Sequence, residues 1–264
     1  MQVAIQVVKP CTRNIGPLTL IEEEAERIVR RAEQCGVTLR LMGGMAVRFH
    51  CHGPHSAHLR EHGDIDLFGL SDQWKGIFRI FNQLGYAPNC EFNGLYGQSR
   101  LQYLRGEHQK DIDVFLDKFE MEHTLDFRSR LWLDDLTIPI TDLLLTKLQM
   151  TKLEAKDTSD VVAILEDHEL GHSDDRETIN LDYLGNLCSR DWDLYRSIID
   201  NVDRIKLVGQ GTPGITWSDN LTQKLETIRG SLMTTRKGLK WNARSIIGDR
   251  VKWYREIEIG EGEV

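Results

Sequence analysis

The chain has 264 residues, of which 40% are hydrophobic and 28% charged, and its formal net charge is −8 at pH 7. This length is sufficient to bury one large core or two smaller ones, and the composition is ordinary for a soluble globular protein. The sequence contains no apolar run near the roughly 20 residues of a membrane span, and the N-terminus shows no secretory signal pattern. The negative charge also argues against a general nucleic-acid coat protein. We therefore expect a cytoplasmic protein without membrane contact.

Five cysteines are scattered along the chain, and no two have Cys-x-x-Cys spacing: Cys11, Cys35, Cys51, Cys90 and Cys188. An odd number of widely spaced cysteines is not the pattern of a disulfide framework or a zinc site. We expect reduced thiols, which agrees with a cytoplasmic location.

The first 170 residues alternate between predicted helices and strands. Apolar residues at helical spacing predict helices over 20–35, 45–49, 72–84, 141–152 and 158–168. Strands are predicted over 37–42, 64–68, 91–92, 101–104 and 110–116. This order indicates an α/β (α+β) domain with a mixed sheet flanked by helices.

The remainder of the chain is predicted to be mostly helical. Helices are expected over 179–188, 192–208 and 221–239, with a Gly-rich linker over 209–214. A break over 171–175 suggests a domain boundary. We therefore divide the chain into a catalytic α/β domain over 1–172 and a helical C-terminal region over 173–264.

Two predicted strands place aspartates at alternate positions. In Asp64-Ile65-Asp66 the period of two puts both carboxylates on one face, and Asp111-Ile112-Asp113 repeats the arrangement. Aspartate is poorly suited to strands, and clustered carboxylates repel one another unless a cation lies between them. Magnesium prefers a few carboxylates combined with substrate phosphates. The pattern therefore predicts a metal site, with solvated edge-strand acids as the structural alternative.

Groups suited to phosphate flank these aspartates. Gly43-Gly44 lies between a strand and a helix, where glycine permits close backbone approach and the helix N-terminus attracts an anion. Lys147 and Lys152 are predicted on the helix after Ile140, where a cation would help to neutralise a triphosphate. Lys147 interrupts a leucine-rich run, and the alternative there is a lysine whose charged end reaches the solvent.

Several motifs together resemble the nucleotidyltransferase fold of the DNA polymerase β superfamily. They are Leu41-Met42-Gly43-Gly44-Met45-Ala46, Asp64-Ile65-Asp66-Leu67 and Asp111-Ile112-Asp113-Val114. The later stretches 138–148 and 156–160 resemble the AbiEii-like (abortive-infection toxin) branch. The resemblance covers roughly residues 37–168.

The resemblance implies a role for each of these residues. Asp64 and Asp66 would hold two Mg²⁺ (or Mn²⁺) ions, and Asp113 would be the third carboxylate, with Asp111 as its competitor. The remaining implied nucleotide contacts are Gly43, Gly44, Arg60, Lys147, Lys152 and Asp160. Gly44 stands where the family usually has a serine, so one hydroxyl contact to phosphate is absent.

The implied activity is transfer of a nucleoside monophosphate from an NTP to an acceptor hydroxyl on RNA or tRNA, a protein or a small molecule. Other classes remain open: a toxin held silent by an antitoxin, an aminoglycoside-type small-molecule enzyme, or a non-catalytic nucleotide-binding protein. The carboxylate cluster favours an enzyme over a degenerate site.

Two other features of the sequence have competing interpretations. Five histidines fall within residues 50–62, and a polar loop that borders the nucleotide site is a simpler reading than a transition-metal centre. Residues 203–255 carry a charge of +7 while the rest of the chain carries −15. Basic residues interleaved with tryptophans there suit an RNA surface, or alternatively a helical bundle with a tryptophan core and solvated charges.

Overall fold

The computed structural model describes residues 20–52, 64–104, 112–208 and 217–256. Five strands form a mixed sheet in the order β1-β2-β5-β4-β3. They are β1 (Leu39–Met42), β2 (Ile65–Gly69), β3 (Ala87–Pro88), β4 (Arg100–Leu104) and β5 (Ile112–Leu116). Strands β2 and β5 run parallel, whereas the other neighbours are antiparallel. The predicted mixed α/β fold with a helical C-terminal part is confirmed.

Helices surround this sheet and continue to the C-terminal part. Their bounds are α1 (Leu20–Gln34), α2 (Gly43–His50), α3 (Trp74–Gln83), α4 (Cys90–Tyr96), α5 (Ile140–Leu148), α6 (Ala155–Asp167), α7 (Leu181–Arg190), α8 (Trp192–Val208), α9 (Asp219–Thr234) and α10 (Leu239–Ile247). Two small ladders accompany them: the hairpin of β6 (Lys118–Glu120) with β7 (Thr124–Asp126), and the parallel pair of β8 (Glu169–Gly171) with β9 (Thr178–Asn180). Among the described residues, no helix has both the length and the apolar character needed to span a bilayer.

Helix α5 is the central element of the core. Every residue from Ile140 to Thr146 is buried, and the helix contacts α2, α6, α8 and β9. A helix that is buried around its circumference is mostly apolar, which explains the leucine-rich run of the sequence. Because α5 packs on both sheet-side and C-terminal helices, it links the two predicted regions.

The predicted domain boundary at residue 172 lies between two paired strands. Strand β8 ends at Gly171 and pairs with β9, which begins at Thr178. One hydrophobic core extends from Ala25 in α1 to Leu232 in α9. The division into 1–172 and 173–264 stays a prediction.

Several element predictions were wrong in detail. Residues 91–92 belong to α4 and not to a strand, because the Asn89 side chain accepts a hydrogen bond from the Phe92 N–H and caps a helix. The helix predicted over 221–239 ends at Thr234, since Thr235 leaves the helical conformation, and α10, which begins at Leu239, was not predicted. The hairpin of β6 and β7 was missed, because its strands are too short to show a period.

Other expectations fall outside the described residues. These are most of the histidine-rich loop, the linker over 209–214, Arg60 and Asp111.

Candidate active site

The two aspartates of the second strand lie at and just before its N-terminal end. Asp64 is exposed and precedes β2, and Asp66 is half-buried within it. Ile65 and Leu67 are buried on the other face of the sheet. The alternation predicted from the sequence is therefore present, because a strand that covers a core must direct its polar residues to the opposite face.

Asp113 lies beside Asp66 on the neighbouring strand. The parallel register of β2 and β5 pairs Asp66 with Asp113 directly. Side chains at paired positions share one face of a sheet, so the two carboxylates are neighbours across the strands. Gln102 of β4 pairs in turn with Asp113 and continues the same polar row.

Gly43, in the turn predicted to receive phosphate, lies against the Asp66 carboxylate. It is the first residue of α2 and has a φ of +63°. A Cβ added to Gly43 would collide with Oδ2 of Asp66, so the carboxylate lies directly against this glycine. Met42, the residue at the N-cap of α2, makes no side-chain capping hydrogen bond. The free N–H groups of a first helical turn are donors for an anion, and they lie next to an acid that suits a cation.

Among the described residues, four charged side chains shift the pKa of the Asp66 carboxyl group. Burial is the largest cause that raises the pKa of Asp66, to about 6, and Asp113 raises it further. Lys147 and Arg100 oppose this rise, while Asp64 adds a smaller increase. These interactions bring together four of the residues singled out in the sequence and one that was not, Arg100.

Arg100 is the site residue that sequence reasoning missed. Its Nε donates to Asp113 Oδ1 at 2.9 Å, and its Nη2 lies 2.8 Å from Asp113 Oδ2. The guanidinium also lies 4.8 Å from the centre of the Phe115 ring and 5.6 Å from that of Phe92. Arg100 begins β4, and only the pairing of β4 with β5 makes it a diagonal neighbour of Asp113. No short-range signal in the sequence indicates this contact.

Lys147 is held by two acids of the next helix. Its Nζ lies 3.0 Å from Asp157 Oδ1 and 2.8 Å from Asp160 Oδ2. Burial disfavours the ammonium form, but Asp160 and Asp157 outweigh it and the pKa of Lys147 is raised. The side chain is therefore an inward-facing cation and not a lysine that reaches the solvent. Asp157 lies in the first turn of α6 and not at its N-cap, which is Glu154.

Lys152 does not lie on the helix where it was predicted. Helix α5 ends at Leu148, and Lys152 is an exposed residue of the segment that follows. The helix ends there because Asn201 donates from its side chain to the carbonyl of Leu148, which closes the last turn from another element.

The donor set fits a divalent cation shared with a phosphorylated substrate. No group of three or more His, Cys, Asp or Glu residues in a metal-binding arrangement occurs within the described ranges. Asp66 nevertheless supplies a carboxylate beside the N-terminus of α2, and Asp64 lies two residues before it in the sequence. Magnesium is commonly bound by one or two carboxylates with waters and substrate phosphates as the other ligands. Asp66, with Asp64 close to it in the sequence, satisfies that requirement.

His50 is not part of a loop. It is the last residue of α2 and is buried. Its Nε2 lies 2.7 Å from Thr137 Oγ1, and its ring contacts that of His168 edge-on at 5.5 Å. The helix extends one residue beyond the predicted end at residue 49, and His50 is a core residue.

The C-terminal tryptophans have internal partners. The Trp241 indole donates to the Cys188 carbonyl, Trp253 donates to Ser197, and Trp217 donates to Thr222. Indole N–H groups satisfied within the chain favour the helical bundle over a surface that stacks bases. The RNA surface stays a prediction.

Comparisons with known proteins gave only distant similarities in structure. No family model matches the chain, and no curated protein matches it. The lincomycin-bound lincosamide antibiotic adenylyltransferase LnuA superposes with a TM-score of 0.39 at 18% identity, covering 56% of this chain and 98% of that one. The antibiotic-resistance factor ANT(2'')-Ia has a TM-score of 0.31 at 14% identity, covering 86% and 95%.

The third structure is that of a protein from Paracoccidioides brasiliensis. This antigenic nucleotidyltransferase-like protein has a TM-score of 0.43 at 10% identity, with 79% of this chain and 100% of that chain covered. With every TM-score below 0.5, these similarities identify neither a family nor an activity for the chain.

Proposed function

We propose that this chain is a metal-dependent nucleotidyltransferase, which moves a nucleoside monophosphate from an NTP to an acceptor hydroxyl and releases pyrophosphate. One observation carries the proposal: the Asp66 carboxylate lies against Gly43 at the uncapped N-terminus of α2. A cation ligand and an anion site are thereby adjacent, which is what a metal-bound triphosphate requires.

Different residues of the chain would contact the metal ion and the phosphates. Asp64 and Asp66 would hold Mg²⁺ or Mn²⁺, which supplies charge neutralisation for the phosphates when it is bound. The backbone of Gly43 and Gly44 would receive phosphate oxygens. Positioning and charge neutralisation account for most catalysis in phosphoryl transfer, so these contacts are the core of the mechanism.

Asp113 would act on the acceptor side of the site. Its carboxylate is the neighbour of Asp66, where it would bind the metal ion nearer to the acceptor and help to remove the proton of the acceptor hydroxyl. Lys147 would steady the phosphates from behind the carboxylates, and Asp160 would hold Lys147 in place. Arg60 and Lys152 are proposed as outer contacts to the nucleotide.

The acceptor class completes the proposal. The motif order favours an AbiEii-like branch with an RNA, tRNA, protein or small-molecule acceptor in the cytoplasm, and an antitoxin as a possible partner. Incubation of the full chain with each labelled NTP and a cell extract, followed by fractionation, would show which class carries the label. Label in none of the fractions would contradict nucleotidyl transfer.

The test of the site is the double variant Asp64→Asn with Asp66→Asn. We expect loss of Mn²⁺-dependent labelling by at least about a hundredfold, since amides cannot replace two metal-binding carboxylates. Asp72→Asn is the matched control, because Asp72 is an exposed acid just beyond β2. Undiminished labelling by the double variant would contradict the assignment.

A further inference from the structure

The ion pair between Arg100 and Asp113 has the geometry of a fork. Nε and Nη2 of one guanidinium approach the two oxygens of one carboxylate, at 2.9 and 2.8 Å. Paired N–H bonds of this kind are strong and directional, because the planar donor matches the planar acceptor. In this arrangement the negative charge of Asp113 is balanced by the Arg100 guanidinium.

We propose that Arg100 is an exchangeable counter-ion of Asp113, which yields this carboxylate to the metal-bound state of the site and then contacts a phosphate oxygen of the nucleotide. This inference rests on the proposed function, since it assigns a role to a residue in the same site.

The charge balance of the sheet face supports an exchange. Asp66 and Asp113 are paired across β2 and β5, and Asp64 precedes Asp66 on the same face. Without a metal, Arg100 offsets the repulsion between these acids. A divalent cation at Asp66 would offset it instead and would repel a guanidinium nearby. Metal and Arg100 are therefore alternative partners for one set of negative charges.

The surroundings of Arg100 permit it to move. The Arg100 side chain is 32% exposed and that of Asp113 is 14% exposed, so water reaches the pair. Lys147 differs in this respect, because it is buried between Asp157 and Asp160 and only 12% exposed. Of the two cations among the described residues that act on Asp66, Arg100 is the more exposed, so its ion pair opens at a lower cost than that of Lys147.

Two aromatic rings beside Arg100 would hold the released side chain close to the site. Phe115 lies on β5 and Phe92 on α4, and both rings lie within 6 Å of the guanidinium. Arginine stacks on aromatic faces whether or not its fork is engaged. A guanidinium that keeps these contacts remains next to the site and offers its donors to a phosphate.

The decisive measurement is Mn²⁺ binding to the full chain, followed through the electron paramagnetic resonance signal of free Mn²⁺. Without nucleotide, Arg100→Gln should bind Mn²⁺ about tenfold more tightly than wild type, because a charge-assisted competitor is removed. Arg100→Lys should bind with intermediate affinity. In an Asp113→Asn background, Arg100→Gln should cause no further change.

Nucleotide binding provides the second readout. At saturating Mn²⁺, Arg100→Gln should weaken binding of a non-hydrolysable NTP analogue several-fold, and Arg100→Lys should retain most of the affinity. Arg128→Gln is the matched control, because Arg128 forms a fork-like pair with Asp126 on the exposed hairpin. The control should change neither constant.

The outcomes separate this inference from the proposed function. Unchanged Mn²⁺ affinity in Arg100→Gln, with weakened binding in Asp64→Asn/Asp66→Asn, would overturn the exchange and leave the metal site standing. Unchanged affinity in that double variant would overturn the proposed function and, with it, the exchange. Absence of Mn²⁺ binding by every variant would overturn both.

Discussion

At the scale of single residues, Gly43 tolerates little change. Its φ of +63° is costly for any residue with a Cβ, and a Cβ there would collide with the Asp66 carboxylate. The positive φ and the close approach of the Asp66 carboxylate thus both require glycine at this position. Gly36 also has a positive φ but meets nothing within 4 Å, so it serves only to end α1.

Gly43→Ala should lower the free energy of unfolding by about 1–2 kcal/mol, the cost of a left-handed conformation for an L-residue. It should also displace Asp66 and weaken Mn²⁺ binding. Gly230→Ala is the control, because Gly230 lies within α9 with open space around it. That control should stabilise the chain by about 0.5–1 kcal/mol. Chemical denaturation measures both, and equal stability of wild type and Gly43→Ala would contradict the argument.

At the scale of elements, Arg130 joins three segments around α5. Its Nε donates to Asp142 in the first turn of α5 and its Nη1 donates to Asp174 before β9. Its guanidinium also lies 3.6 Å from the centre of the Tyr183 ring in α7. Burial raises the pKa of Asp142 to about 6, against the opposing effect of Arg130. Arg130 therefore stabilises the ionised form of Asp142 in the core, where burial alone favours the neutral form.

Arg130→Met should lower the free energy of unfolding by about 3–5 kcal/mol, because it leaves the Asp142 carboxylate buried without its cation. The measurement is urea denaturation at pH 7.5. Arg128→Met is the control for an exposed pair, and it should leave the unfolding midpoint unchanged. Equal midpoints for the two variants would show that Asp142 is neutral or hydrated in the folded chain.

At the scale of the whole molecule, His123 connects the hairpin of β6 and β7 to the C-terminal helices. It lies between β6 and β7, and its Nε2 is 2.8 Å from Ser197 Oγ in α8. Ser197 also accepts from the Trp253 indole. One buried histidine therefore links the hairpin, α8 and the end of the described chain.

The stability of the chain should decrease in acid partly through His123. Burial lowers the pKa of His123, which Asp191 opposes and Arg255 reinforces. Below about pH 6.5 the unfolded chain gains this proton first, so the free energy of unfolding falls as the pH falls. His123→Gln should lose less stability between pH 7.5 and pH 5.5 than wild type does. The exposed His172→Gln should behave as wild type, and identical slopes for all three would contradict the role of His123.

The sequence by itself determined the elements whose cause is local. The strands of Asp66 and Asp113 follow from alternation with period two, α1 ends at a glycine that adopts a positive φ, and the apolar run of α5 reflects burial on every face. The diglycine step into α2 was also readable, because strand, glycine and helix follow one another directly. These features depend on side chains a few residues apart.

Only the tertiary structure decided which distant groups meet. Arg100 reaches Asp113 because β4 pairs with β5, His50 enters the core because α2 packs on α5, and Lys147 turns inward because α6 presents two acids to it. Such contacts join residues 10 to 90 positions apart in the sequence, and strand register and helix packing select them. The alternating aspartates were therefore predictable from the sequence, whereas the Arg100 guanidinium that pairs with Asp113 was not.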